Sequence, residues 1–267
     1  MDYLYDGSFE GFLCCIYMNY YAEKAWGIYP RSEYQHAIMR PYKLVETDEI
    51  RARKVYEAIE SKISNQALKK VYHVFLSNKE DKENIALSYI KLGFKLGAGV
   101  DSYHSNPTVF EVQRTSQKVS FEVHRLTGLL RFSVLCEGPA AFNAAGSLSD
   151  TALSRSSREL LYGKIEPDHD VLELLGGHFS DRFKGDPFVI HDAKRKKALF
   201  CAYGQWYIAP IDENCLPDLS EKEKAYRQMW KMYFDTIAIK ERTNPACQKR
   251  LMPVRYWKNL TEMRYDQ

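Results

Sequence analysis

Phe121-Glu122-Val123-His124-Arg125-Leu126-Thr127-Gly128-Leu129-Leu130-Arg131-Phe132 marks the point where one hydrophobic period gives way to another. Upstream, Asn106-Pro107 supplies a helix cap and a first helical residue. Val109, Val112, Ser116, Val119, Val123 and Leu126 then recur at the spacing of a core-facing helix. Downstream, Leu130, Phe132, Val134 and Cys136 alternate with Arg131 and Ser133, the period of a strand. The stretch predicts a helix that stops at Gly128 and a strand over Leu129–Cys136, and so an α+β chain. The polar side of the helix carries Arg114, Lys118, Phe121 and Arg125, with His124 towards one edge, and Glu122 stands three residues from Arg125, placed to pair with it.

The rest of the chain extends this reading in both directions. Tyr3–Tyr5 is a short strand, and Ser8 caps a helix from Phe9 to about Lys24. Pro30 and the polar stretch after it read as a loop, and Tyr42–Val45 as a second strand paired with the first. Thr47-Asp48-Glu49-Ile50 reads as a capped helix start that leads through Ile63, and two more helices follow over roughly Gln66–Leu76 and Lys82–Leu96. Residues 1–105 thus form a mainly helical N-terminal region, and 106–267 an α+β core. Eleven of the 22 residues from Pro139 to Leu160 are Ala, Ser or Gly without periodicity, which predicts an inserted loop at 139–160. Leu161–Ile165, Phe188–Asp192, Ala198–Tyr203 and Gln205–Ala209 read as strands, with a helix beginning at Asp168. Together with Leu129–Cys136 they predict an antiparallel sheet of about five strands with packed helices. A long C-terminal helix spans Glu221 to Glu241 and ends before Asn244-Pro245.

With 267 residues, 45% hydrophobic and 27% charged, the chain has the composition of a globular protein and not of a disordered one. The formal net charge is +3, yet Arg227–Gln267 holds nine Lys/Arg against four Asp/Glu, which leaves the remainder at −2. A basic segment on a near-neutral body suits an anionic partner or a solvated helix. The six cysteines show no Cys-x-x-Cys spacing and read as buried reduced thiols. No run approaches 18 apolar residues, and the N-terminus lacks a basic, apolar leader, so the expectation is a cytoplasmic protein with no membrane segment.

Several groups of residues are candidates for chemistry. In the opening stretch, Arg125 and Arg131 are placed as bidentate phosphate donors, with His124 as a further donor or acid/base. A structural ion-pair cluster at a helix-to-strand corner is the alternative, and both readings stay open. Glu166-Pro167-Asp168-His169-Asp170, His178 and His191-Asp192 add imidazoles and carboxylates, without a His-x-x-x-His pair. With Glu122 and His124 they make the alternative of a metal-dependent hydrolase or nuclease, although no metal ligand set is assigned. The basic turn Lys194–Lys197 and the interleaved basic and aromatic residues from Lys240 to Trp257 suit a nucleic-acid backbone or plain solvation. Signatures of nucleotide hydrolysis, dinucleotide binding, nucleophile elbows and zinc deamination are missing.

Specific motifs run through the chain in order: Tyr5-Asp6-Gly7-Ser8-Phe9-Glu10-Gly11-Phe12, Glu122-x-His124-Arg125-x-x-Gly128-x-x-Arg131-Phe132, and Tyr162-Gly163-x-Ile165-Glu166-Pro167-Asp168-His169. His178-Phe179-x-x-Arg182-Phe183, Ile190-His191-Asp192, Ile239-x-Glu241-Arg242-x-Asn244-Pro245 and Met252-Pro253-x-Arg255-Tyr256-Trp257 follow. In these the chain resembles a bacterial family of DNA-metabolism or DNA-repair proteins linked to radical SAM enzymes. Its core is a domain of unknown function, fused in some members to a uracil-DNA-glycosylase-like domain. The resemblance implies DNA or a nucleic-acid fragment as ligand, and a radical SAM protein and a uracil-DNA-glycosylase-like protein as partners. It implies no cofactor in this chain, since SAM and the iron-sulfur cluster belong to the partner and the Cys-x-x-x-Cys-x-x-Cys motif is missing. It brings no catalytic residues, and the 139–160 insertion departs from the family pattern. The resulting candidates are His124, Glu122 and His178 for catalysis, and Arg125, Arg131, Arg182, Arg242, Asn244 and Arg255 for phosphate. A non-catalytic adaptor of the radical SAM enzyme is a further reading.

Overall fold

A computed structural model describes residues 1–35, 40–135, 160–212 and 219–263. It divides into two compact units, Met1–Phe121 and Glu122–Gln267. The expected 139–160 insertion lies outside the described residues up to position 159, as do Cys136 and Cys215. No helix among the described residues is long and apolar enough to cross a membrane.

The first unit runs β1 (Asp2–Tyr5), α1 (Phe9–Tyr21), β2 (Ile28–Pro30), β3 (Tyr42–Leu44), α2 (Glu49–Lys62), α3 (Asn65–Leu76) and α4 (Lys82–Leu96), and ends within α5 (Pro107–Leu129). Its small sheet has the order β2-β1-β3, with both neighbours parallel to β1. The sequence reading missed β2, because three residues closed by Pro30 carry almost no strand signal; proline is tolerated there at a strand end on the sheet edge.

The turn from β1 into α1 explains the Asp6-Gly7-Ser8…Gly11 motif. Asp6 accepts from the Ser8 amide and hydroxyl at 2.9 and 2.6 Å and from Thr47 Oγ1 at 2.8 Å. Gly7 sits at φ +94°, a conformation L side chains avoid, and a Cβ on Gly11 would run into the Asp6 carboxylate. The hydroxyl of Tyr5, one residue earlier, donates to buried Glu83 at 2.8 Å, tying β1 to α4. Burial raises the Glu83 carboxyl above its ordinary value. Buried Cys14 and Cys15 lie in the same core, and burial pushes both thiols up.

The second unit begins in the last turns of α5 and continues through β4 (Phe132–Leu135), β5 (Leu160–Ile165), α6 (Leu172–Arg182), β6 (Phe188–Asp192), β7 (Lys197–Ala202), β8 (Gln205–Pro210), α7 (Glu221–Ile237) and α8 (Pro245–Leu251). Short 3-10 turns at Lys240–Arg242, Val254–Asn259 and Thr261–Met263 complete the tail. The five strands are ordered β4-β5-β6-β7-β8. The sheet is mixed and not wholly antiparallel, because β5 and β6 run parallel. The reason is the helix between them: a connection long enough to hold α6 carries the chain back to start β6 in the same direction. The antiparallel pairs are β4–β5, β6–β7 and β7–β8, the last closed by Tyr203 and Gly204 at φ +53° and +79°, as a two-residue hairpin turn requires.

All five residues of the central strand β6 are buried, so the sheet is covered on both faces. On one face Phe188 meets Phe132, Phe179 and Phe183 with ring centroids 5.9, 6.5 and 5.6 Å apart. On the other, Val189 and Phe200 pack with Leu135, Leu160 and Ile211. Helix α6 approaches β8 through Gly176, where a Cβ would come within 2.7–2.9 Å of three atoms of the Trp206 indole. At Gly177 it would meet nothing within 4 Å.

Gly176→Ala should lower the stability of the second unit by about 1–3 kcal/mol through overpacking, while Gly177→Ala should be neutral or raise it by up to about 1 kcal/mol through helix propensity. Urea denaturation of the two variants makes the comparison. In the first unit, His73 is buried, with Nδ1 3.0 Å from Ser116 Oγ and 3.3 Å from Ser120 Oγ. Burial holds its pKa below 6.5, the Ser116 backbone contact opposes that and Lys69 adds to it. The unfolded chain therefore takes up this proton before the folded one does. The contribution to stability should be complete above about pH 6.5 and fall as the pH drops below it, and denaturation of wild type and His73→Gln at about pH 7.5 and 5.5 reads the difference in slope.

Candidate functional site

The corner at the end of α5 is built around Glu122. Periodicity assigned Val123 to the buried stripe, yet Glu122 is 1% exposed and Val123 only half-buried. The carboxylate faces inward because it receives four donors. Oε1 accepts from the Asp168 amide at 3.0 Å, the Tyr256 hydroxyl at 3.0 Å and Arg255 Nη2 at 3.3 Å, and Oε2 accepts from the His169 amide at 2.8 Å. Four donors use most of what a carboxylate can accept. Glu122 does not pair with Arg125, which sequence spacing suggested. Its neighbours respond electrostatically: burial, then the Glu122 charge, raises the Tyr256 phenol, against the opposing effect of Arg255.

The Glu166–Asp170 segment leaves the carboxyl end of β5 and meets the same latch. Asp168 pairs with Arg255 and Glu166 with Lys258, while Asp170 holds Lys197 Nζ at 2.5 Å. Arg195 donates to the Pro167 and Asp168 carbonyls at 3.3 and 2.6 Å and to Asp192 at 2.9 Å. Asp192 also caps the hairpin, accepting from the Lys194 and Arg195 amides at 3.0 and 3.2 Å. The His191 ring places Nδ1 2.7 Å from the Tyr162 hydroxyl. The acidic run and the basic turn thus spend much of their charge on each other and on the tail. The six residues weighed as a metal set, Glu122, His124, Asp168, His178, His191 and Asp192, do not assemble: among the described residues no group of three or more His, Cys, Asp and Glu is placed to hold an ion.

Arg131 is likewise committed. It donates to the Gly128 carbonyl at 3.1 Å and to Glu262 at 2.7 Å, and Glu262 also accepts from Trp230 Nε1 at 3.3 Å. Burial pushes the Glu262 carboxyl up, but the bonds and charge of Arg131, with the other donors, bring it below its ordinary value. Arg227 bridges Glu223 and Ser133 at 3.1 and 2.5 Å, fastening α7 to β4. Helix α5 continues one residue past Gly128, where a Cβ would meet nothing within 4 Å.

The remaining candidates are distributed differently. His124, His178 and Arg182 are exposed, and Arg125 is half-buried. Arg182 lies over the Phe183 ring at 5.7 Å, and His178 sets its ring edge-on to Phe179 at 5.0 Å. Asn244 caps α8, accepting from the Cys247 amide at 3.0 Å. No hydrogen bond, ion pair or ring contact among the described residues joins His124, Arg125, His178, Arg182 and Arg242 to one another.

Part of the basic Lys240–Trp257 segment is open. Lys240, Arg242, Lys249 and Arg250 are all exposed and form no ion pair with a described carboxylate. Glu241 is the lone acid between Asp235 and Glu262. None of the residues of α7, just upstream, is buried, and Tyr226, Met229, Trp230, Met232 and Tyr233 are exposed. The sequence singled out the residues from Lys240 to Trp257 but not the helix α8 among them, whose seven residues carry too little periodicity to stand out.

The second unit lies wholly inside a family match that spans residues 80–262, apart from its last five positions. The chain belongs to the DUF4130 family, a domain of unknown function. No curated protein and no solved structure matches the chain. The match takes in the Glu122 latch, the acidic run after β5 and the cationic segment together.

Because Glu122 is buried with its donors, Glu122→Ala should cost about 3–5 kcal/mol, leaving two peptide N–H groups and the buried Tyr256 hydroxyl without this acceptor while Arg255 keeps Asp168. Glu122→Gln, which keeps the shape and loses the charge, should cost less. Chemical denaturation followed by tryptophan fluorescence ranks the three proteins.

Proposed function

We propose that the chain binds DNA, or a phosphate-bearing nucleic-acid fragment, through its C-terminal segment. The observation that carries this reading is the division among the cations. Arg131, Arg195, Arg227 and Arg255 are spent on internal acceptors. Lys240, Arg242, Lys249 and Arg250 are exposed without described carboxylate partners, downstream of a helix that exposes Trp230 and Tyr233. Basic side chains beside aromatic faces suit a backbone track with stacking surfaces, and neutralised phosphates release counterions. Arg125 and Arg182 are further candidates for phosphate contact. The family resemblance supports a setting in DNA metabolism beside a radical SAM protein.

A second reading is favoured by α7, whose exposed Met229, Met232 and Ile237 offer apolar surface to a protein partner. In that case the chain is a non-catalytic adaptor, with the radical SAM protein as its partner.

Fluorescence anisotropy with a single-stranded oligonucleotide across a salt series tests the first reading. Binding should weaken steeply with salt. Replacing Lys240, Arg242, Lys249 and Arg250 together by Ala should reduce the log–log slope by about 3, at about 0.7 per phosphate contact. No binding at low salt, or a slope unmoved by the four substitutions, sinks it. Co-purification with a radical SAM protein that is lost in Met232→Lys but kept in the fourfold variant would establish the adaptor instead.

A further inference from the structure

The first unit contains a cleft of about 430 Å³ between α1, α2 and α4 that none of the foregoing uses. Its walls are Tyr17, Tyr20 and Tyr21 of α1 and Phe94 of α4, and its floor includes buried Ile16 and Val55. Tyr17 and Tyr21 stack with centroids 4.4 Å apart and planes at 24°, while Tyr20 meets Phe94 edge-on at 5.6 Å and 86°. Tyr21 is 75% exposed and Tyr20 46%, so rings already held by one another still present open faces. Four aromatic side chains line the cleft, and its volume lies within the range of small-molecule sites.

The charged groups that line the cleft are all of one sign. Lys54 and Lys62 line it, and no acidic residue does. Neither ammonium forms an ion pair with a described carboxylate. They stand eight residues apart on α2, about 12 Å along the axis, with Ala58 between them on the same helical face. A small residue between two long ones leaves a slot bracketed by charges.

We propose that this cleft binds a nucleotide: a planar aromatic ring seated against Tyr20 and Tyr21, with its phosphate held by Lys54 or Lys62. The ring supplies the flat apolar face the tyrosines lack, and the phosphate supplies the charge the lysines lack. A free mononucleotide and an unstacked base within a single strand offer the same chemistry. The site uses none of the C-terminal cations and stands or falls independently of them.

Calorimetric titration of the full chain with a mononucleotide, the matching nucleoside, inorganic phosphate and a short single-stranded oligonucleotide tests the proposal. The mononucleotide should bind at least tenfold more tightly than nucleoside or phosphate alone. Tyr21→Ala should weaken it about tenfold by removing a stacking face, Tyr21→Phe should restore it, and Lys54→Gln with Lys62→Gln should weaken it and remove its salt dependence. These positions are exposed, and thermal melts confirm that the variants fold. Binding should persist in the variant lacking Lys240, Arg242, Lys249 and Arg250. If the oligonucleotide binds more tightly than the mononucleotide and is equally sensitive to Tyr21→Ala, the ligand is a base in a strand; if only the mononucleotide responds, it is free nucleotide. Absence of nucleotide binding, indifference to the Tyr21 and lysine substitutions, or loss only with the C-terminal cations would overturn it, and in the last case the C-terminal reading would survive alone.

Discussion

A single buried carboxylate holds the second unit together. Glu122 projects from the last turns of α5 and receives the Asp168 and His169 amides, the Tyr256 hydroxyl and Arg255. An ionised group can stay inside a protein only when its acceptor sites are filled, because the desolvation penalty otherwise exceeds any local gain. That requirement fixes three separate pieces of chain at once: the end of a helix, the loop leaving β5 and the C-terminal 3-10 turn. Around it, Arg255 pairs with Asp168, Lys258 with Glu166 and Arg195 with the loop carbonyls. The polar surroundings of the sheet end are therefore an internally balanced lattice of charge.

The balance gives meaning to what lies outside it. Where Arg131, Arg195, Arg227 and Arg255 are matched to carboxylates, cations left without such partners become conspicuous. The segment from Lys240 to Arg250 and the lysines of the first-unit cleft have this property. An exposed lysine costs nothing to leave in water, so exposure alone argues little. Shared sign and adjacency to aromatic rings make the difference.

Much of the fold was legible in the sequence. Lys82–Leu96 and Phe188–Asp192 were placed at their observed bounds, since a glycine stop closes the one and a dense apolar run with turn residues defines the other. The sheet's mixed character was missed although the intervening helix was seen, because the direction of a strand is set by its connection and not by its own residues. The site was harder. A pattern reading sends a polar residue outward, and Glu122 goes inward only because Tyr256 and Arg255, more than 130 residues away in sequence, come to meet it. Many of the residues that carry the family resemblance, including Asp6, Gly7, Gly11, Glu122, Asp168, Asp192, Arg255 and Tyr256, turn out to hold backbone turns and the latch. A motif shared along a chain can record how the chain closes as readily as what it transforms.

The same latch has a temporal side. During synthesis the Glu122 side chain emerges well before Arg255 and Tyr256, by on the order of ten seconds at ordinary elongation rates. Through that interval its carboxylate has no reason to leave water, and the turn that presents the Asp168 and His169 amides has nothing to clasp it from the other side. The sheet can pair locally, but closure of its polar end waits for the last stretch of the unit to arrive. Contacts of such long sequence separation slow folding because the loop entropy is lost before the contact forms. The second unit is therefore one whose tail acts as the final fastening, so that its native state reports whether that stretch of chain has been made.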